Sequence, residues 1–179
     1  DELEELLKRI EDVIRRVEEL LDELLERHRK VSKESNERLE ELLRRHEKVS
    51  EEVKRENAGD ERFKRTVDRL NDELRKKVKK LKEDDEKRNK ELADDVKRLK
   101  EELRETLDRI RKEVEKLEPT EEVEKRVREV LKEIEDRARE VEKRARDSVR
   151  RNREELERLE RDVRRSLKKL RDDLERMRR

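Results

Sequence analysis

The apolar residues of this chain recur with a period that admits only one kind of secondary structure. In the last third they fall at Val123, Val127, Val130, Ile134, Ala138, Val141, Ala145, Leu156, Leu159, Val163, Leu170, Leu174 and Met177, with Ser148, Asn152 and Ser166 at the intervening places. The steps are 4, 3, 4, 4, 3 and then repeat. Five steps cover 18 residues, which is 3.6 residues per turn and the period of an α-helix. The middle third repeats the same steps through Phe63, Val67, Leu70, Leu74, Val78, Leu81, Asp85, Arg88, Leu92, Val96, Leu99, Leu103, Thr106, Ile110, Val114 and Leu117. The first third fits the 18-residue repeat in another phase: Leu3, Leu7, Ile10, Ile14, Val17, Leu21, Leu25, His28, Ser32, Ser35, Leu39, Leu43, His46, Ser50, Val53 and Asn57. A strict heptad would impose a left-handed supercoil, whereas a 3.6 period needs almost none.

Only two places interrupt this pattern. Asn57-Ala58-Gly59-Asp60 contains the sole glycine, which suits a left-handed residue at a helix C-terminus, and Asp60 suits the N-cap of the next helix. Glu118-Pro119-Thr120 contains the sole proline, which cannot continue a helix, and Thr120 can cap the one that follows. The expected elements are therefore helices over 2–57, 60–117 and 120–179. Short connections make consecutive helices antiparallel neighbours. The expected fold is all-α: three long, nearly straight antiparallel helices, up-down-up, in a three-helix coiled-coil bundle that forms a single elongated domain over 1–179.

Composition excludes several functions. With no cysteine there is no disulfide, thiolate metal site or catalytic thiol. One glycine cannot build a glycine-rich phosphate loop. The 57 Lys and Arg balance 56 Asp and Glu, so the basic surplus that steers a protein to nucleic acid is missing. Arg150-Arg151-Asn152-Arg153 is basic, but acids follow it at once, and it reads as a solvated helix face. No apolar run reaches the ~20 residues needed to cross a bilayer, and no signal peptide is recognisable. A chain that is 63% charged and 27% hydrophobic would ordinarily suggest disorder. The period argues otherwise, because it gathers the apolar residues onto one seam per helix.

Polar residues on these seams carry the most information. His28 and Ser32 recur 18 residues later as His46 and Ser50. Asn71 and Asn89 share that spacing, as do Ser148 and Ser166. When the first and third helices run parallel at an offset of 120 residues and the second runs against them, levels coincide. His28 is expected level with Asn89 and Ser148, His46 with Asn71 and Ser166, and Ser32 with Asp85 and Asn152. The level of Ile10, Leu107 and Val130 is apolar. Imidazole, amide and hydroxyl groups each both donate and accept, so such layers can satisfy themselves and penalise any other register.

Catalysis and metal binding fit these residues poorly. The histidines lie 18 residues apart, or ~27 Å along a helix, too far to share a metal. Ser32, His28 and Asp85 have the residue types of a triad but no oxyanion hole or shaped loop beside them. The expectation is no enzyme, no cofactor and no metal, and no nucleic-acid, membrane or small-molecule partner. A histidine buried neutral should have a lowered pKa, which makes a pH response a rival reading. A hinge at Asn57–Asp60 belongs to the same switch reading. A second apolar stripe on the first helix, Leu6, Val13, Leu20, Leu24, Val31, Leu42 and Val49, reads either as the edge of a wide core face or as an interface. In the second case the chain is a homo-oligomer or receives a partner helix; otherwise it is a monomer.

Taken together, the Glu/Lys/Arg surface, the 18-residue repeat, the two minimal connections and the polar levels His28/Asn89/Ser148 and His46/Asn71/Ser166 resemble de novo designed helical bundles with modular buried hydrogen-bond networks. The resemblance covers the whole chain. It implies a soluble structural scaffold with no natural biochemical task or compartment, cytoplasmic when produced recombinantly.

Overall fold

The computed structural model describes residues 2–116 and 121–178, with side chains as far as residue 176. It contains three α-helices: α1 (Glu2–Glu56), α2 (Glu61–Lys116) and α3 (Glu121–Arg178). There are no strands among the described residues. The fold is an all-α three-helix bundle in which each helix meets both others. Leu117, the Pro119-Thr120 connection and the side chain of Met177 lie outside the described residues.

Helices this long follow from sequence-local causes. Their interiors lack glycine and proline, the two residues that most weaken a helix. Glu2, Glu4 and Glu5 open α1, and Lys54 and Arg55 close it. Glu121, Glu122 and Glu124 open α3. Both arrangements complement the helix dipole. The N-cap of α2 is Asp60, whose Oδ1 accepts from the Phe63 backbone N–H at 3.1 Å, satisfying one of the orphan donors of the first turn.

Packing divides the helices into two compact units. The first holds α1 up to Arg29, α2 from Arg88 and α3 up to Ser148. Its core is continuous and apolar, with Ile10, Val96 and Leu103 each at most 2% exposed. Leu107 and Val130 pack against this core, so the level of Ile10, Leu107 and Val130 is dry. The second unit holds α1 from Lys30, α2 up to Lys87 and α3 from Val149. Its apolar core is split in two. One cluster centres on Leu39, Val78 and Leu159, the other on Val53, Val67 and Leu170. Between them lie His46, Ser50 and Asn71, all buried, and half-buried Ser166.

No described residue on the three expected seams is exposed. One seam is broader than a single line. Asn71 is buried whereas its neighbour Leu70 is half-buried, because a helix facing two partners turns adjacent residues toward both. Outside the core, ion pairs cross every helix pair: Glu40 with Lys82 between α1 and α2, Arg38 with Glu160 at 2.8 Å between α1 and α3, and Glu102 with Arg137 between α2 and α3. Exposed pairs of this kind contribute only ~0–1 kcal/mol each.

The α1–α2 connection departs from expectation at Gly59. No described glycine has positive φ, so the left-handed assignment is overturned. The physical reason lies in how the chain turns. The Asn57 N–H donates to the Lys54 carbonyl at 3.2 Å, and the Asp60 N–H donates to the Asn57 carbonyl at 3.1 Å. Two successive i, i+3 turns close the helix without any left-handed residue. A Cβ built on Gly59 meets nothing within 4 Å.

Candidate functional site: the buried polar layers

The best-defined polar layer surrounds His46, in the second unit. The side chain is 1% exposed, and α1 presents it to both neighbours. Nδ1 lies 2.5 Å from Asn71 Oδ1 on α2. Because that oxygen only accepts, Nδ1 carries the proton and donates. Nε2 then accepts from the Ser166 hydroxyl on α3, at 3.3 Å. Ser50, one turn along α1 and 0% exposed, donates to the His46 carbonyl at 2.7 Å. Its hydroxyl also points at Asn71 Oδ1, at 2.9 Å. One imidazole thus ties three helices together at one level.

Burial depresses the His46 pKa below its ordinary 6.5; the hydrogen bond to Asn71 and the charge of Glu47 oppose that shift. Glu47 is itself paired with Arg75 of α2 at 2.8 Å. The groups that touch the ring, Asn71, Ser50 and Ser166, do not titrate in this range. If Nε2 gains a proton, the Ser166 hydroxyl can rotate and accept instead of donating. Protonation therefore keeps the hydrogen bonds and costs only the desolvation of a charge.

A second layer in the same unit centres on Asp85, which is 4% exposed. Ser32 donates to its Oδ2, and Asn152 Nδ2 donates to its Oδ1 at 2.5 Å. A carboxylate accepts through both oxygens, so one side chain on α2 binds donors from α1 and α3. In the first unit, His28 is 4% exposed, and its Nε2 lies 3.2 Å from Ser148 Oγ. Asn89 is half-buried on α2. Both His–Ser pairs span 120 residues, so α1 and α3 hold the same register at each.

The two histidine modules also differ in what their second serines meet. Eighteen residues beyond Ser32, Ser50 has no Asp85 to meet, because the corresponding positions are Val67 and Leu170, at 0% and 1% exposure. The Ser50 hydroxyl meets the His46 carbonyl of its own helix and Asn71 of α2, within the His46 layer, whereas Ser32 bonds to Asp85 of α2.

Asn36 does not stand out in the sequence. Its Oδ1 is buried and has no hydrogen-bond partner. It lines a cavity of about 10 Å³ together with Ser35, Leu39, Asp85, Asn152 and Leu156. The only signal for it was its place one residue past Ser35 on the seam. Of the α1 stripe, Leu6, Val13, Leu24, Leu42 and Val49 are half-buried, while Leu20 is 62% and Val31 36% exposed. Val13 and Leu24 pack on the first-unit core, Leu42 and Val49 on the second-unit clusters.

Among the described residues, no three His, Cys, Asp or Glu side chains converge as metal ligands, and no helix is long and apolar enough to cross a membrane. No protein-family model matches the chain, and no curated protein or solved structure matches it significantly.

Proposed function

We propose that this chain is a structural scaffold of designed origin, with no catalytic task, in which buried polar layers fix helix pairing and register. The observation that carries the reading is the repeated His–Ser pair, His28 with Ser148 and His46 with Ser166, each across the same 120-residue offset. A buried polar group contributes little net stability when satisfied and costs ~1–3 kcal/mol when left unpaired. Its value lies in the alternatives it penalises, since sliding one helix past another separates every partner in the layer.

The experiment is a mutant cycle on the His46 layer. His46→Leu alone should lower stability by about 1–3 kcal/mol, because Ser166 loses its acceptor. The combined replacement His46→Leu, Ser50→Ala, Asn71→Leu and Ser166→Ala should recover most of that loss, as apolar side chains fill the layer. Losses that simply add across the four sites, read from urea midpoints, would overturn the reading.

A second reading is a pH response, favoured by the burial that depresses the His46 pKa. Its size is limited by the Ser166 hydroxyl, which serves either protonation state of the ring.

A further inference from the structure

We infer that the α1–α2 connection is a latent hinge through which two copies of this chain exchange α1 and form a dimer. The inference is independent of what the polar layers do. It rests on what holds the connection bent.

Three features commonly force a helix to stop: a proline, a left-handed residue, or a side chain that obstructs a straight path. Residues 57–60 contain no proline. They contain no positive φ, and a Cβ at Gly59 would be unobstructed. The two i, i+3 hydrogen bonds of the turn, Asn57 to Lys54 and Asp60 to Asn57, are one residue short of helical bonds. Within residues 57–60, what remains is the Asp60 cap on Phe63 and the low helix propensity of Gly59 and Asp60; the Lys54–Asp68 ion pair that spans the turn would re-form between chains. If residues 57–60 adopt helical geometry, α1 and α2 fuse into one helix over 2–116. The other connection cannot do this, because Pro119 forbids it.

A fused helix carries α1 away from its own α2 and α3. A second copy in the same state offers the vacated seat, with the same polarity. All the packing of α1 is then regained between chains. Glu11 again meets Arg111, Glu40 meets Lys82, and His46 meets Asn71 and Ser166. Each chain loses one cap and gains the helical bonds of residues 57–60. Exchange of an identical element is a low-cost route to a dimer, and a short hinge loop invites it.

The test uses the full chain refolded from guanidinium at high concentration, with mass read by light scattering. Gly59→Ala with Asp60→Ala removes the cap and raises helix propensity in the hinge, and should increase the dimer-to-monomer ratio at least tenfold over wild type. Wild type carrying Gly-Gly-Ser inserted after Ala58 has a longer, flexible turn with the cap intact and should stay a monomer of about 22.5 kDa, the 22.3 kDa of the chain plus the insert. Since the chain has no cysteine, spin labels at Glu40→Cys and Lys82→Cys report the exchange directly. In a monomer these sites are in contact; in a labelled chain paired with an unlabelled copy they stand ~63 Å apart along the fused helix. A hinge variant that stays monomeric, or a dimer that keeps the short distance, would overturn the inference. Should the double variant fail to fold, Asp60→Ala alone, which removes the cap that only the bent turn has, decides by the same readings.

Discussion

At the residue scale, two buried polar groups, Asn36 and His46, carry direct consequences. Asn36 Oδ1 is buried without a partner, and asparagine is a poorer helix former than leucine. Asn36→Leu should therefore raise stability by about 1 kcal/mol, measured as a higher urea midpoint with an unchanged slope. For His46 the sign follows from its depressed pKa. Above the unfolded value of about 6.5 both folded and unfolded forms are neutral, and the full stability is present. As pH falls through that value and on through the lower folded one, the unfolded chain binds the proton first and stability is lost. Comparison of wild type with His46→Asn at pH 7.5 and pH 4.5 isolates this contribution from that of the carboxylates. A pH dependence identical in the two proteins would show that the ring contributes none.

At the element scale, the α1–α2 connection makes its own prediction. Gly59 has neither positive φ nor crowding around a Cβ. Gly59→Ala should stabilise the monomer by about 0.4–1 kcal/mol by restricting the unfolded chain. A loss of stability on that substitution would mean that the glycine is conformationally required. Asp60→Ala should cost about 1 kcal/mol through loss of the cap. The helices themselves were legible in the sequence, since period, charge bias and missing breakers all agree along each one. The N-cap at Asp60 was legible for the same local reason. The conformation of Gly59 was not, because a lone glycine after a helix is compatible with either a left-handed cap or a closing i, i+3 turn. The choice depends on where the next helix must begin, which is a tertiary fact.

At the scale of the whole molecule, the seams were legible because one period runs through each helix. They bring Ser32, Asp85 and Asn152 into contact, and His46 with Asn71 and Ser166. What the repeat hid is how partners differ between modules. Ser32 and Ser50 occupy equivalent places, yet one meets Asp85 and the other meets the His46 carbonyl and Asn71. Only the residues opposite, supplied by other helices, distinguish them. Asn36 escaped for a related reason, since its burial comes from α2 and α3 closing over it and not from its own local pattern. The surface belongs to the same scale. The ion pairs that cross between helices are exposed and screened by salt, which leaves the interior as the proposed source of register.

We propose that the polar layers make the choice of register. The amide correlation spectrum of the chain carrying His46→Leu, Ser50→Ala, Asn71→Leu and Ser166→Ala tests it most directly. Wild type should give one sharp set of peaks, and the variant several sets, or broadened ones, around residues 39–53, 67–78 and 159–170. A variant spectrum with a single sharp set, and with the α1–α3 contacts of wild type at the 120-residue offset, would contradict it.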